Sequence, residues 1–267
     1  MSFPKLFDPR DSTYFAENGL SENSLLFFLH IPKTAGSSFG SEMQQRLSPA
    51  FNIIFDYRNA DIPVRYQEAT VFQQFLSQDR ASRFRFASGH VRFQTCASLL
   101  ALERKVRMIT FLRDPVARMI SDFKYQRTPK HPLCDTFIRD FPTFKDYAHH
   151  RSAWDKMYVF LRLYPKEPVE DVIRRMERTF TLVGTVEHYE LAFRVVTALC
   201  GQQETPTIST NQSPAGIFEP SAADISEARA ANVIDMEIYT HFAGLWSDAR
   251  NIVEQKLTAL ACSLGQY

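Results

Sequence analysis

Residues 25–40 read LLFFLHIPKTAGSSFG, and no other segment limits the possible folds as much. From Leu25 to Ile31 every residue except His30 is apolar, the pattern of a parallel strand buried on both faces. Pro32 ends the run. Lys33, Thr34, Ala35, Gly36, Ser37 and Ser38 then supply a cation, hydroxyls and a flexible glycine where a helix should begin. A strand, a tight turn and a helix start form an anion cradle, because free backbone N–H groups and the positive end of the helix dipole point the same way. Such a loop takes phosphate or a group of similar shape.

The cradle is not a Walker A loop. That motif has its Lys after a second Gly and a Ser/Thr for magnesium, whereas Lys33 here precedes the only Gly of the loop. For the segment alone, a solvated loop with chance hydroxyl content remains the plainer alternative. A second segment, 106–126 (VRMITFLRDPVARMISDFKYQ), repeats the plan of apolar run, charge and helix. Asp114 can cap free amides and Pro115 suits the first helical position. Arg113 ends the strand, and Ser121 lies two turns into the helix, where its hydroxyl can share a space with the guanidinium. Such a pair clamps a monophosphate well, the planar fork taking two oxygens and the hydroxyl a third.

Between the two lies FRFASGHVRF, residues 84–93. His90 follows Ala-Ser-Gly at the end of a predicted strand, where doubly wound sheets present their chemistry. A neutral imidazole is a suitable base for a hydroxyl near pH 7. His30, packed in the sheet or beside the loop, and a carboxylate not identifiable from sequence are the other candidates for that role.

The cation-first loop and the R-D-P-x-x-R-x-x-S pattern of residues 113–121 resemble the donor-binding segments of sulfotransferases that use 3′-phosphoadenosine 5′-phosphosulfate (PAPS). The Gly89-His90-Val91 triplet is similar to the catalytic segment of heparan sulfate 2-O-sulfotransferase and related carbohydrate sulfotransferases. The resemblance implies an α/β, P-loop-like three-layer fold with a central parallel sheet flanked by helices. It implies one domain over 1–267, with the donor site built from 31–40 and 111–123 and C-terminal helices at 224–263. Lys33, Thr34, Ala35, Gly36, Ser37 and Ser38 would hold the 5′-phosphosulfate, and Arg113 and Ser121 the 3′-phosphate. His90 would take the acceptor's proton while Lys33 stabilises the departing phosphate, without a metal, and adenosine 3′,5′-bisphosphate (PAP) would be the product. The acceptor would be a hydroxyl on a carbohydrate or, alternatively, on a small molecule, lipid or polyketide. A P-loop kinase-like phosphotransferase is a rival that should show a Walker A loop. A binding module without turnover is a second rival, opposed by the intact Lys33, His90, Arg113 and Ser121.

Composition fits an enzyme of this kind, with 45% hydrophobic and 23% charged residues. The net charge of +1 gives no global reason to expect nucleic acid as a partner. The 23 Phe residues read as core packing. Arg80, Arg83, Arg85, Arg92, Arg104, Lys105 and Arg107 crowd one stretch; a solvated face explains most of them, and some could meet an acidic acceptor. Cys96, Cys134, Cys200 and Cys262 show neither zinc spacing nor a disulfide framework. The N-terminal residues do not read as a secretory signal, and no run approaches the ~20 apolar residues of a spanning helix. Animal glycan sulfotransferases carry such a helix as a Golgi anchor. The expectation is therefore a soluble, cytoplasmic, bacterial enzyme, or one from which a Golgi anchor has been removed.

Elsewhere the pattern predicts a strand at 51–56, helices at 65–78 and 95–105, and a surface loop over the acceptor side at 129–142. Helices follow at 152–163, 169–178 and 186–200, with a strand at 180–184 and an amphipathic helix from 235. Val183-Gly184-Thr185-Val186-Glu187 resembles the V-G-x-x-E segment that closes the sheet in sulfotransferases, with Glu187 opening its helix. Residues 201–220 form a polar loop in which Asn211, Gln212 and Ser213 could reach the donor.

Overall fold

The computed structural model describes residues 3–56, 64–208 and 218–264. Five strands form one parallel sheet: β1 (Leu25–Leu29), β2 (Ala50–Ile53), β3 (Phe86–Gly89), β4 (Val106–Leu112) and β5 (Phe180–Thr185), in the order β2-β3-β1-β4-β5. Every residue of β1, β3, β4 and β5 is buried, which accounts for the continuous apolar run of β1 and the largely apolar or small residues of the others. The chain leaves β1 toward β2 and β3, then crosses to β4 and β5. β1 thus has a neighbour from each excursion, and the crevice beyond its C-terminal end is a topological switch point, where open α/β sheets bind ligands.

The helices that matter for the site are α1 (Gly36–Arg46), α2 (Val64–Ser82), α3 (Pro115–Gln126), α4 (Val169–Thr179), α5 (Tyr189–Leu199), α6 (Ala222–Ala230), α7 (Val233–Asp248) and α8 (Arg250–Leu264). The expected phenylalanine core is present: Phe27, Phe28, Phe39, Phe72, Phe75 and Phe86 are all sealed from solvent. Phe28, Phe39 and Phe111 meet at centroid separations of 4.8–6.1 Å, joining α1 to the centre of the sheet. A second apolar cluster packs α3 against Phe137, Phe144, Tyr147 and Ala228.

Several sequence expectations need correction. The helix predicted at 95–105 is a turn of helix, Phe93–Cys96, followed by a 3₁₀ stretch, Ala97–Ala101. Burial of Phe93, Cys96 and Leu99 in the core sets that path, and the charged residues 103–105 lie beyond it. The loop predicted at 129–142 contains a helix, Cys134–Asp140, whose Phe137 is buried against Phe123. The helix predicted at 152–163 is confined to Lys156–Leu161, and β2 stops at Ile53 rather than 56.

In the arginine-rich stretch Arg80, Arg83 and Lys105 are exposed, as a solvated face requires, and three others are structural. Arg92 pairs with Glu68 at 2.7 Å and Arg104 with Asp79 at 2.8 Å, while the buried Arg107 donates to the Glu17 carbonyl. None of these residues lines the cavity at the C-terminal edge of the sheet. All four cysteines are free thiols. Among the described residues no helix is long and apolar enough to cross a membrane, and no cluster of His, Cys, Asp and Glu could hold a metal ion.

Candidate active site

A cavity of about 1350 Å³ opens at the C-terminal ends of β1, β3 and β4. Its lining brings together His30, Lys33, Ala35, Gly36, Ser37, Ser38, His90, Arg113 and Ser121. Of the described site residues expected from sequence, only Thr34 is not among the lining residues. Its side chain is buried and donates to the Ile31 carbonyl at 2.9 Å, so it braces the turn from within.

The turn gets its shape from residues the sequence did not single out for that purpose. Lys33 (φ 71°) and Ala35 (φ 61°) occupy the left-handed region, which disfavours L-residues by roughly 1–2 kcal/mol each. Backbones folded in this way make a concave nest of N–H groups suited to an anion. The first α1 bond runs from Phe39 N to Ala35 O at 3.3 Å, so the amides of Gly36, Ser37 and Ser38 precede the helical ladder. Gly36 is needed for space rather than for flexibility. A Cβ there would lie 2.0 Å from His30 Cδ2, so the helix start can approach the imidazole only because the side chain is missing.

Arg113 leaves β4 and donates to the Lys33 carbonyl at 3.2 Å, tying the second segment to the first. Asp114 caps α3 by accepting from Ala117 N at 2.8 Å, with Pro115 at the first helical position, as its sequence implied. Ser121 and Tyr125, four residues apart, share one face of α3. The Lys33 ammonium lies 4.0 Å from the centroid of the Tyr125 ring, a cation–π contact that orients it across the cavity. Burial lowers the pKa of Lys33, Asp122 opposes the shift and Arg113 adds to it. Burial also lowers that of Arg113, with Glu187 opposing. Glu187 does not open α5. It sits in the 3₁₀ turn Val186–His188, and its Oε1 accepts from the Asp114 amide at 3.3 Å, beside the Arg113 guanidinium.

The two histidines lie side by side because β1 and β3 are paired in register, Leu29 opposite Gly89. Their ring centroids are 4.2 Å apart. His30 is wedged between Phe28, against which it stacks, and the bare face of Gly36. Burial pushes its pKa well below the usual imidazole value, with the charges of His90 and Lys33 acting in the same direction. His90 Nδ1 is 2.7 Å from the His30 carbonyl oxygen. A carbonyl can only accept, so Nδ1 carries the proton and the lone pair is on Nε2. Burial lowers the pKa of His90 too, against the opposing effects of that hydrogen bond and of Asp122. The imidazole is therefore neutral at pH 7 and equipped to accept a proton at Nε2.

The remaining wall comes from parts of the chain that sequence reasoning did not connect. Lys130, His131, Pro132 and Leu133 line it, and the His131 ring packs edge-on against Tyr125 at 5.6 Å. Lys156 joins them at the start of the helix Lys156–Leu161. Two carboxylates exchange caps at this point. Asp155 Oδ1 accepts from Ile234 N and Asp235 N, both at 3.0 Å, while Asp235 accepts from Met157 N at 2.9 Å and Tyr158 N at 2.7 Å. Burial raises the pKa of Asp235 to about 6. A further strand of chain, Pro206 to Ile208, lines the cavity and is held by the buried Glu42 of α1, which accepts from the amides of Thr207 and Ile208. Asn211, Gln212 and Ser213 lie outside the described residues.

Asp122, Lys156 and Glu42 thus escaped the sequence reading. Asp122 had a usable signal: it stands three residues before Tyr125, one turn along the helix from another residue that lines the cavity. Lys156 and Glu42 had none, because their neighbours at the site lie far along the chain.

Comparison with known proteins adds the family. No curated protein matches the chain significantly. Among solved structures, mouse sulfotransferase SULT7A1 complexed with PAP is 12% identical, with 89% of this chain and 72% of that chain covered and a TM-score of 0.37. So distant a likeness carries no functional weight. The family profile described as galactose-3-O-sulfotransferase matches residues 9–264, nearly the whole chain. The chain therefore belongs to the galactose-3-O-sulfotransferase family and is a PAPS-dependent sulfotransferase.

Proposed function

We propose that this enzyme moves a sulfo group from PAPS to a hydroxyl on a carbohydrate, with His90 as general base. The observation that carries the reading is the His90 Nδ1 contact with the His30 carbonyl at 2.7 Å, which puts the basic lone pair on Nε2 of a ring that lines the same cavity as the loop and Arg113. The donor's 5′-phosphosulfate would rest on the amides of Gly36, Ser37 and Ser38, with its 3′-phosphate between Arg113 and Ser121.

In the reaction the acceptor oxygen attacks sulfur in line with the departing phosphate. The new O–S bond forms as the bond from sulfur to the bridging oxygen breaks. The acceptor proton passes to His90 Nε2, and the bridging oxygen keeps the bonding pair as part of PAP. Lys33 and the loop amides stabilise the charge that develops there, a form of transition-state stabilisation that operates best in a site shielded from water. A neutral base beside a half-buried ammonium suits this task, since the proton and the phosphate charge move to different groups.

A galactose 3-hydroxyl is the first acceptor to test, given the family. Galactose-terminated oligosaccharides, a glycolipid and simple alcohols should be incubated with PAPS and the products weighed by mass spectrometry. Sulfation of the oligosaccharides above the others supports the reading; sulfation of simple alcohols alone removes the carbohydrate. His90→Ala should lose at least ~100-fold in turnover while PAP still binds normally, the usual contribution of a positioned base. Retention of a tenth of wild-type turnover would transfer the role to another group.

A further inference from the structure

Glu42 is the one acid of α1, and it is sealed from solvent. A buried carboxylate needs partners for both of its oxygens. Arg46, one turn on, donates to Oε2 and is itself shared with Glu204 at 2.6 Å. That ion pair leaves Oε1 unexplained. Oε1 accepts from the amides of Thr207 and Ile208, and the Thr207 hydroxyl reaches the same oxygen at 3.2 Å. Every donor that these two residues possess is therefore spent on Glu42. Both line the cavity, together with Pro206.

The strap does not need Glu42 to stay on the protein. Gln202 N and Glu204 N donate to Thr197 of α5 at 2.9 and 3.1 Å, and Gln203 Nε2 donates to the Leu257 carbonyl at 2.6 Å. These bonds anchor the chain as far as Glu204. Glu42 fixes the cavity-lining residues beyond it.

The place of the strap in the cavity points to the donor. Glu42 and Arg46 lie where α1 packs on α5: Phe39 meets Phe193 at 6.1 Å, and the Arg46 guanidinium lies 5.4 Å from the Phe193 ring. Because α5 follows β5, the strap stands on the β4-β5 flank of β1, the flank that also carries Arg113. His90 follows β3, on the opposite flank. An acceptor has to reach His90, whereas the nucleoside of the donor runs from the cradle toward Arg113. Val186 and Tyr189, just past β5, complete an apolar wall there with Pro206 and Ile208. Glu42 is six residues past Gly36, ~9 Å along the helix axis. One helix thus carries the cradle at its start and the grip on this wall in its second turn.

We propose that Glu42 is a positioning residue for the donor: by gripping the amides of Thr207 and Ile208 it sets the strap at a fixed distance from the cradle, against the nucleoside of PAPS. This rests on the reading that the loop amides take the 5′ group. A wall fixed in advance spares the ordering that binding would otherwise require. Glu42 touches neither sulfur nor acceptor, so its loss should appear in donor affinity and not in the chemical step.

The test is Glu42→Gln, read by isothermal titration with PAP and by steady-state kinetics. PAP affinity and donor KM should worsen about tenfold, the scale of a lost charged hydrogen-bond partner, while kcat at saturating PAPS and acceptor KM stay within about twofold. Glu204→Gln removes the outer partner of Arg46 but leaves the strap amides on Glu42, and should bind PAP normally. In wild-type enzyme, PAP should slow hydrogen exchange at the amides of Thr207 and Ile208. Unchanged PAP affinity in Glu42→Gln, a fall in kcat that matches the loss of affinity, an equal loss in Glu204→Gln, or wild-type exchange at 207–208 that ignores PAP would each overturn the proposal. Should Glu42→Gln fail to fold, the wild-type exchange decides alone. If PAP leaves the amides of Gly36, Ser37 and Ser38 unprotected, the placement of the donor on the loop fails instead, whatever Glu42 does.

Discussion

The two sides of the cavity are assembled in contrasting ways. One side, the turn 32–38 with Arg113 and Ser121, comes from two short segments, each a strand end running into a helix. The other, 130–133 with Lys156 and the Pro206–Ile208 strap, gathers pieces whose positions depend on caps and ion pairs between distant residues. A phosphate-like anion has the same shape in every donor, so local backbone geometry suffices to cradle it. The second side has no such fixed template. The first side should therefore fail through single side chains of large effect, and the second through loss of support.

The largest effect is expected at the loop. Lys33→Ala removes the ammonium held over Tyr125 and should lower turnover by two or more orders of magnitude with the fold intact; near-normal kcat at saturating donor would erase the contrast between the two sides. Next, Arg113→Ala should weaken PAP roughly ten- to over a hundredfold, the loss of a charged hydrogen-bond partner being ~1.5–3 kcal/mol. Isothermal titration with a nucleotide lacking the 3′-phosphate should show a smaller loss. It should not vanish, because Arg113 also donates to the Lys33 carbonyl. Equal losses for both ligands would mean that Arg113 acts only through the loop.

Gly36→Ala tests whether the loop depends on space. The added methyl would meet the His30 ring at 2.0 Å, and such overpacking costs about 1–3 kcal/mol. We expect a lower melting temperature together with weaker PAP binding, since the helix start must retreat from the imidazole. An unchanged melting curve would show that His30 swings aside freely. The smallest effect belongs to the second side. Asp155→Ala removes the acceptor for two amides at the start of α7 and should destabilise the protein by about 1–2 kcal/mol in urea titration. PAP affinity should stay within about twofold, while acceptor KM rises as Lys156 loses its support. An equal loss of donor affinity would show that the two sides are not separable.

Much of this was legible in the residues themselves. The continuous apolar run of β1 and the largely apolar β4 identify strands buried on both faces, and Asp114-Pro115 marks the start of α3 where the structure has it. Local chemistry dictates these features, since burial on two faces, a cap and a fixed φ need no information from elsewhere in the chain. The helix predicted at 95–105 shows where such reasoning stops. Its periodicity is real, but the pull of Phe93, Cys96 and Leu99 into the core breaks it into two turns.

The same division runs through the site. The sequence by itself determined that a tight turn at residues 32–35 joins a buried strand to a helix start and that Arg113 and His90 follow other strands, because each depends on neighbours a few positions away. Only the tertiary structure decided that His30 and His90 touch, that Gly36 exists to admit an imidazole, and that Asp122 meets Tyr147 at the edge of the cavity. Strand order and in-register pairing bring His90 beside His30, sixty residues away in sequence. Electrostatic coupling depends on distance and burial, and neither exists until the chain has closed around the cavity.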